Sequence, residues 1–131
     1  MAISKIHPVF EDERGEIIDI LQNELIEHVT LISFKNGSIR GDHYHKLSTQ
    51  YAFVIEGRFK ILTRKPGRTT DIDIVSAGDL VHTPPLERHA YVALEDGRIL
   101  VLTKGPRGGK DYEKDTFSLK EDESLVRKNL P

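Results

Sequence analysis

At 131 residues the chain has room for one domain around one hydrophobic core. With 37% hydrophobic and 31% charged residues, it has the make-up of an ordinary globular protein and not of a disordered one. Nineteen Lys plus Arg against twenty-one Asp plus Glu leave a formal net charge of -2 and no basic field to hold a nucleic acid; the absence of cysteine removes disulfides, thiolate metal sites and cysteine nucleophiles.

The opening segment MAISKIHPVFEDERGE is broken by Lys5, His7, Pro8 and Glu11 before a signal-peptide core could form. No apolar run approaches the ~18–20 residues of a membrane span, so a cytoplasmic, unprocessed chain without membrane contact is expected. Ile3–Phe10 and Glu16–Leu21 read as two strands joined by the polar turn EDERG, with Gly15 free to take a positive φ. This arm, residues 1–22, is expected to pair with the main sheet or with a second subunit. Short apolar, β-branched stretches then recur at intervals of roughly ten residues, the pattern of an antiparallel sandwich or barrel. The expected strands are His28–Phe34, Gln50–Glu56, Arg58–Thr63, Asp71–Val75, Asp79–Thr83, His89–Leu94 and Arg98–Thr103. Gly57, Gly67, Gly78 and Asp96-Gly97 supply turns. The fold class is therefore all-β, with a single domain whose barrel core spans 28–104. Residues 105–131, rich in glycine and then in charge, are expected to form a loop and a short helical tail. In QYAFVIE both faces of the strand are largely apolar, since Gln50, Ala52 and Val54 alternate with Tyr51, Phe53 and Ile55; a homodimer is the simplest way to cover the second face.

Two segments carry the chemistry. In GSIRGDHYHKLSTQYAFVIEG, Gly37 is followed after five residues by His43-x-His45, after four more by Gln50 and after six more by Gly57. Alternation along a strand sends His43 and His45 to one side and Asp42 and Tyr44 to the other. In GDLVHTPPLERHAYVA, five residues separate Gly78 from Pro84, and His89 lies five positions beyond that proline. The proline pair bends the chain so that the His89 ring would complete a trio, and with Gln50 the set offers three nitrogens and one oxygen, which suits zinc, iron, nickel, copper or manganese.

These two segments resemble the paired motifs of the cupins, G-x5-H-x-H-x(3,4)-E-x6-G and G-x5-P-x-G-x2-H-x3-N. Gln50 stands where the first motif has Glu, Leu86 where the second has Gly and Ala93 where it has Asn. The resemblance implies a jelly-roll β-barrel, usually dimeric, with one divalent ion (zinc, nickel, iron or manganese) held by His43, His45, His89 and, at the Glu position, Gln50. A narrower likeness lies in RGDHYHKLSTQ, which is similar to the dTDP-keto-sugar ketoisomerases, enzymes thought to work through the His pair without a metal. VFEDERGEIIDIL resembles the start of sugar-nucleotide epimerase-like cupins and of the cupin domain of capsular-polysaccharide biosynthesis enzymes, where a zinc ion has been assigned. The implied substrate is a nucleotide-activated sugar. A tyrosine that the ketoisomerases carry upstream of the histidine pair has no counterpart in Leu31–Phe34.

Moving a ketone along a sugar ring, or inverting a carbon beside it, needs a proton removed next to a carbonyl, and imidazole is the base whose ordinary pKa suits neutral pH. His43 or His45 is the candidate base, Arg40 would hold developing negative charge or phosphate, and Tyr91 and Lys46 are candidate substrate contacts. Lys46 is more simply a solvated rim charge, and His7, His28 and His82 are most simply surface or local hydrogen-bonding residues. The competing functions are a metal-dependent cupin oxygenase or lyase using the same histidines, and a non-enzymatic metal- or ligand-binding cupin.

Overall fold

The structure, a computed structural model, describes residues 1–106 and 114–127. In chain order the strands are β1 (Ala2–Lys5), β2 (Phe10–Asp12), β3 (Gly15–Ile17), β4 (His28–Phe34), β5 (Ile39–Tyr44), β6 (Thr49–Glu56), β7 (Arg58–Arg64), β8 (Asp71–Ser76), β9 (Asp79–Thr83), β10 (Arg88–Ala93), β11 (Gly97–Lys104) and β12 (Phe117–Ser118). Two antiparallel five-stranded sheets result, β1-β9-β6-β11-β4 and β12-β5-β10-β7-β8, with β2-β3 as a separate hairpin. The all-β jelly roll expected from the sequence is present. The described residues contain no α-helix, and no helix among them is long and apolar enough to cross a membrane.

Alternation explains how the sheets adhere. Ala52, Val54, Val81, Ile99 and Val101 of the first sheet pack in one cluster with Phe59, Ile61, Val75, Tyr91 and Ala93 of the second. Phe59 and Ile61 have no exposed surface, and burial of such side chains contributes about 1.5–3 kcal/mol each. Phe34 closes one end of this core edge-on to Phe59, with ring centroids 4.8 Å apart.

The arm differs from expectation. Ile3–Phe10 is not one strand: β1 pairs with β9 at the edge of the first sheet, and β2 begins only at Phe10, beyond Pro8, which has no N–H to give to a ladder. β3 stops at Ile17, short of Leu21. The following segment crosses the outer face of the first sheet, where Ile18, Ile20, Leu21 and Ile26 line a groove with Val29, Leu100 and Leu102. Glu24 ties it down, accepting hydrogen bonds from the Tyr51 hydroxyl at 3.1 Å and the Lys104 ammonium at 3.0 Å. Part of the second apolar face of β6 is thus covered by the chain itself, while Val29 and Leu31 remain 65% and 56% exposed.

The tail also departs from the expected helix. Its helical pieces among the described residues are short 3-10 turns, at 114–115 and at Glu121–Glu123, and β12 joins the second sheet beside β5. Leu125 and Val126 bury against Leu62, Ala90 and Val92, so apolar burial, not helix propensity, decides its course. Residues 107–113 and 128–131, which carry the rest of the expected loop and tail, lie outside the described residues.

Candidate active site

The strand that carries the first histidine is bent by two left-handed residues in succession. Gly41 has φ 91° and Asp42 φ 59°, and the pairing of β5 with β10 shifts register there, from Ala90 opposite Gly41 to His89 opposite His43. A side chain at Gly41 would meet the His89 carbonyl oxygen at 2.9 Å, so the close approach of the two strands requires glycine. Despite this bulge the alternation holds. Asp42 and Tyr44 turn outward to the tail, and His43 and His45 turn inward, their ring centroids 4.8 Å apart.

His89 completes the trio. Its ring lies 4.7 Å from His43 and 5.2 Å from His45, and one ring nitrogen from each of the three residues falls within 4.8 Å of the others. The second motif is held against the first by a hydrogen bond of 2.6 Å from the Leu86 amide to the His45 carbonyl. Leu86, standing at a position where the cupin motif has Gly, adopts a left-handed φ of 73°. The departure from the motif is therefore a change of residue and not of backbone.

Register places a polar layer above the apolar core. Across the first sheet Thr83, Gln50 and Thr103 stand side by side, and across the second His43, His89 and Thr63 do the same. The hydroxyls of Thr63 and Thr103 are buried with no hydrogen-bond partner among the described residues, which makes this end of the barrel favourable to polar ligands. A cavity of about 180 Å³ opens here, lined by His43, His89, Gln50, Tyr91 and Arg40 on its polar side and by Ile32, Phe34, Ile99 and Val101 on its apolar side.

The hydrogen bonds assign the nitrogens. His45 Nδ1 lies 2.7 Å from the Asp115 carbonyl oxygen, and His89 Nδ1 lies 3.3 Å from that of Glu87. A carbonyl only accepts, so each Nδ1 carries the hydrogen and, in the neutral ring, Nε2 carries the lone pair that a metal or a proton would take. Burial pushes the Tyr91 phenol up to about 12, against the opposing effect of the Thr83 hydroxyl beside it, so Tyr91 stays protonated at neutral pH and serves as a donor. Arg40 gives one hydrogen bond to the Ser33 carbonyl at 3.2 Å and holds its guanidinium 5.4 Å above the Phe34 ring, leaving further donors of its fork at the cavity edge.

Of the residues picked out in the sequence, His43, His89, Gln50, Arg40 and Tyr91 meet at this cavity. His45, 5% exposed, adjoins both other rings without lining it. Lys46 is not brought to the cavity: its ammonium sits 4.4 Å from the centre of the Phe117 ring, outside the barrel mouth. His82 stacks on Tyr51 on the outer face of the first sheet. Sequence reasoning missed Asp115, whose carboxylate accepts from the amides of Lys46, Leu47 and Ser48. Its separation of 70 residues from His45 leaves no local signal.

A family model, the Polysaccharide biosynthesis C-terminal domain, matches residues 10–117. The chain belongs to that family. Among curated proteins, the pectin degradation protein KdgF of Dickeya dadantii is 30% identical over 76 residues, which is 58% of this chain. The match spans 64% of that relative, less than two thirds of its length. Among solved structures, a 3,4-ketoisomerase from Helicobacter canadensis superposes with a TM-score of 0.78 at 19% identity, covering 93% of this chain and 92% of that one. A dTDP-4-dehydrorhamnose 3,5-epimerase from Elizabethkingia anophelis gives 0.77 at 18% identity, covering 98% and 81%. A sugar 3,4-ketoisomerase from Thermoanaerobacterium thermosaccharolyticum, solved in complex with TDP, gives 0.74 at 20% identity, covering 93% and 90%. At these identities the likeness is one of fold, and it makes this family member a cupin jelly roll.

Proposed function

We propose that this cupin is a sugar-nucleotide isomerase or epimerase that moves a proton on carbon next to a carbonyl. The observation that carries the reading is the partly open cavity in which two imidazoles, a guanidinium and a protonated phenol face one small volume. The solved ketoisomerases and epimerases of the same fold point to the substrate class.

His43, which faces the cavity, is the base. Its lone pair removes the proton α to the ketone, and the electrons of the C–H bond move into an enediolate whose oxygen accepts hydrogen bonds from Arg40 or Tyr91. For ketone migration the hydroxyl proton of the enediolate passes to its other oxygen and the imidazolium returns its proton to the neighbouring carbon; for epimerisation a donor on the opposite face supplies the proton and both groups re-equilibrate with solvent, so nothing is consumed. Tyr91 is a donor in this scheme and never the base, because its raised pKa keeps the phenol protonated. Arg40, at the edge, is placed for a nucleotide phosphate as well as for the enediolate.

The donor set also fits a divalent ion, zinc, nickel, iron or manganese, held by His43, His45 and His89 with Gln50 completing the set. The fit rests on three ring nitrogens within 4.8 Å of one another, two of the rings having Nδ1 committed to backbone carbonyls. A bound ion would polarise the substrate carbonyl as a Lewis acid. This second reading is tested by elemental analysis of the purified protein.

Turnover of a panel of nucleotide-linked keto-sugars, followed by NMR, tests the first reading. The expected result is isomer formation that His43→Ala slows by about 10²–10⁴-fold, the usual size of a general-base contribution. Undiminished turnover in that variant would remove His43 from the role.

A further inference from the structure

We propose that Asp115, from the C-terminal segment, is the positioning residue of the site: it sets the tautomer and orientation of His45 and so the disposition of the histidine cluster. Its importance for catalysis rests on the isomerase reading; its effect on the ring does not. Asp115 is 4% exposed and reaches the histidine segment in two ways. Its carboxylate gathers three consecutive amides, Lys46 at 3.0 Å, Leu47 at 3.0 Å and Ser48 at 2.9 Å, and its own carbonyl oxygen stands 2.7 Å from His45 Nδ1. One residue thus grips the turn immediately after His45 and the ring of His45 itself.

Burial would raise the Asp115 pKa, but the hydrogen bonds from Leu47, Ser48 and Lys46 outweigh it and hold the carboxyl below its ordinary value, as expected for a charged group clamping amides. The clamp is independently latched. Lys46 lies over the Phe117 ring, Phe117 stacks on Tyr44 with ring centroids 5.4 Å apart, and the Arg88 guanidinium lies 4.0 Å from the centre of the Tyr44 ring, a chain of ring and cation contacts joining β12 to β5. Farther on, Asp42 accepts from the Ser124 hydroxyl at 2.7 Å and the Leu125 amide at 2.8 Å. Free neutral histidine favours hydrogen on Nε2; an acceptor fixed at Nδ1 reverses that preference, and here the acceptor belongs to the tail.

The test is a long-range proton–nitrogen NMR correlation on metal-free protein labelled with nitrogen-15 histidine, at a pH where the rings are neutral. The expected wild-type spectrum shows His45 as the Nδ1–H form, in excess by about tenfold, the equivalent of one hydrogen bond. Asp115→Ala shifts His45 toward the Nε2–H form, and Asp115→Asn, which keeps an acceptor for the amides, restores the Nδ1–H excess. Ser124→Ala, which loosens the tail away from the clamp, leaves the His45 signal as in wild type. An Nε2–H form in the wild-type protein, or an undiminished Nδ1–H excess in Asp115→Ala, would overturn the proposal. The wild-type spectrum decides even if Asp115→Ala does not fold. No substrate enters the measurement, so a failed turnover assay would sink the isomerase reading and leave this result standing.

Discussion

Two single residues show how much of the site depends on backbone conformation. Gly41 combines a positive φ with a gap too small for a methyl group, the nearest atom being the His89 carbonyl oxygen at 2.9 Å. Gly41→Ala should therefore cost about 2–3 kcal/mol in urea unfolding and displace His89 relative to His43. A loss below about 0.5 kcal/mol, the range of unremarkable surface changes, would mean that the bulge tolerates a side chain. Leu86 is the opposite case, a branched residue held at a left-handed φ where its side chain is 45% exposed. Asn tolerates that region far better, so Leu86→Asn should raise stability by about 0.5–1 kcal/mol, read as a later denaturation midpoint with an unchanged slope. An earlier midpoint would show that the leucine side chain contributes more than its strain costs.

At the scale of elements, the arm over the first sheet is fastened by a titratable group. Hydrogen bonds from Lys104 and Tyr51 hold the Glu24 carboxyl below its ordinary 4.5, while Tyr51 is raised by burial and by the same carboxylate. A carboxyl lowered on folding stabilises the docked arm fully above its unfolded pKa and loses that contribution as pH falls through the folded one. The protection factors of residues 18–26 against hydrogen exchange, taken relative to the intrinsic rate at each pH, should accordingly fall below about pH 4.5 in the wild type, and Glu24→Gln should remove this pH dependence. Identical profiles for the two proteins would show that the arm is held by its isoleucines alone.

Elements differ in how far the sequence announces them. His28–Phe34 and Asp79–Thr83 form with the expected bounds because each is a short stretch of apolar and β-branched residues closed by turn residues. The histidine pair could be assigned to one side of a strand from alternation, and the spacing of the two motifs anticipated the meeting with His89. β5 itself was harder to see, since Gly41 and Asp42 break its pattern in order to make its bulge. β12 and Asp115 were not legible because their partners lie about 70 residues away and are selected by tertiary contact alone.

Over the whole molecule the barrel divides by polarity along its length. An apolar half, centred on Phe59 and Ile61, holds the two sheets together, and this frees the other half to keep histidines, threonines and Gln50 out of bulk water. Confinement is what gives those groups chemical force, since hydrogen bonds and charges act more strongly where water is excluded. The tail, the second histidine motif and the bulged β5 all converge on that polar end, so the fold and the proposed proton transfer depend on the same few contacts.

The central claim is that the histidine cluster moves a proton on carbon beside a carbonyl. It is tested most directly by incubating the protein with a nucleotide-linked keto-sugar in deuterium oxide and following the sugar by NMR. Deuterium should enter the carbon next to the carbonyl with the wild-type protein and fail to enter with His43→Ala. Exchange or product formation that persists undiminished in His43→Ala would contradict it.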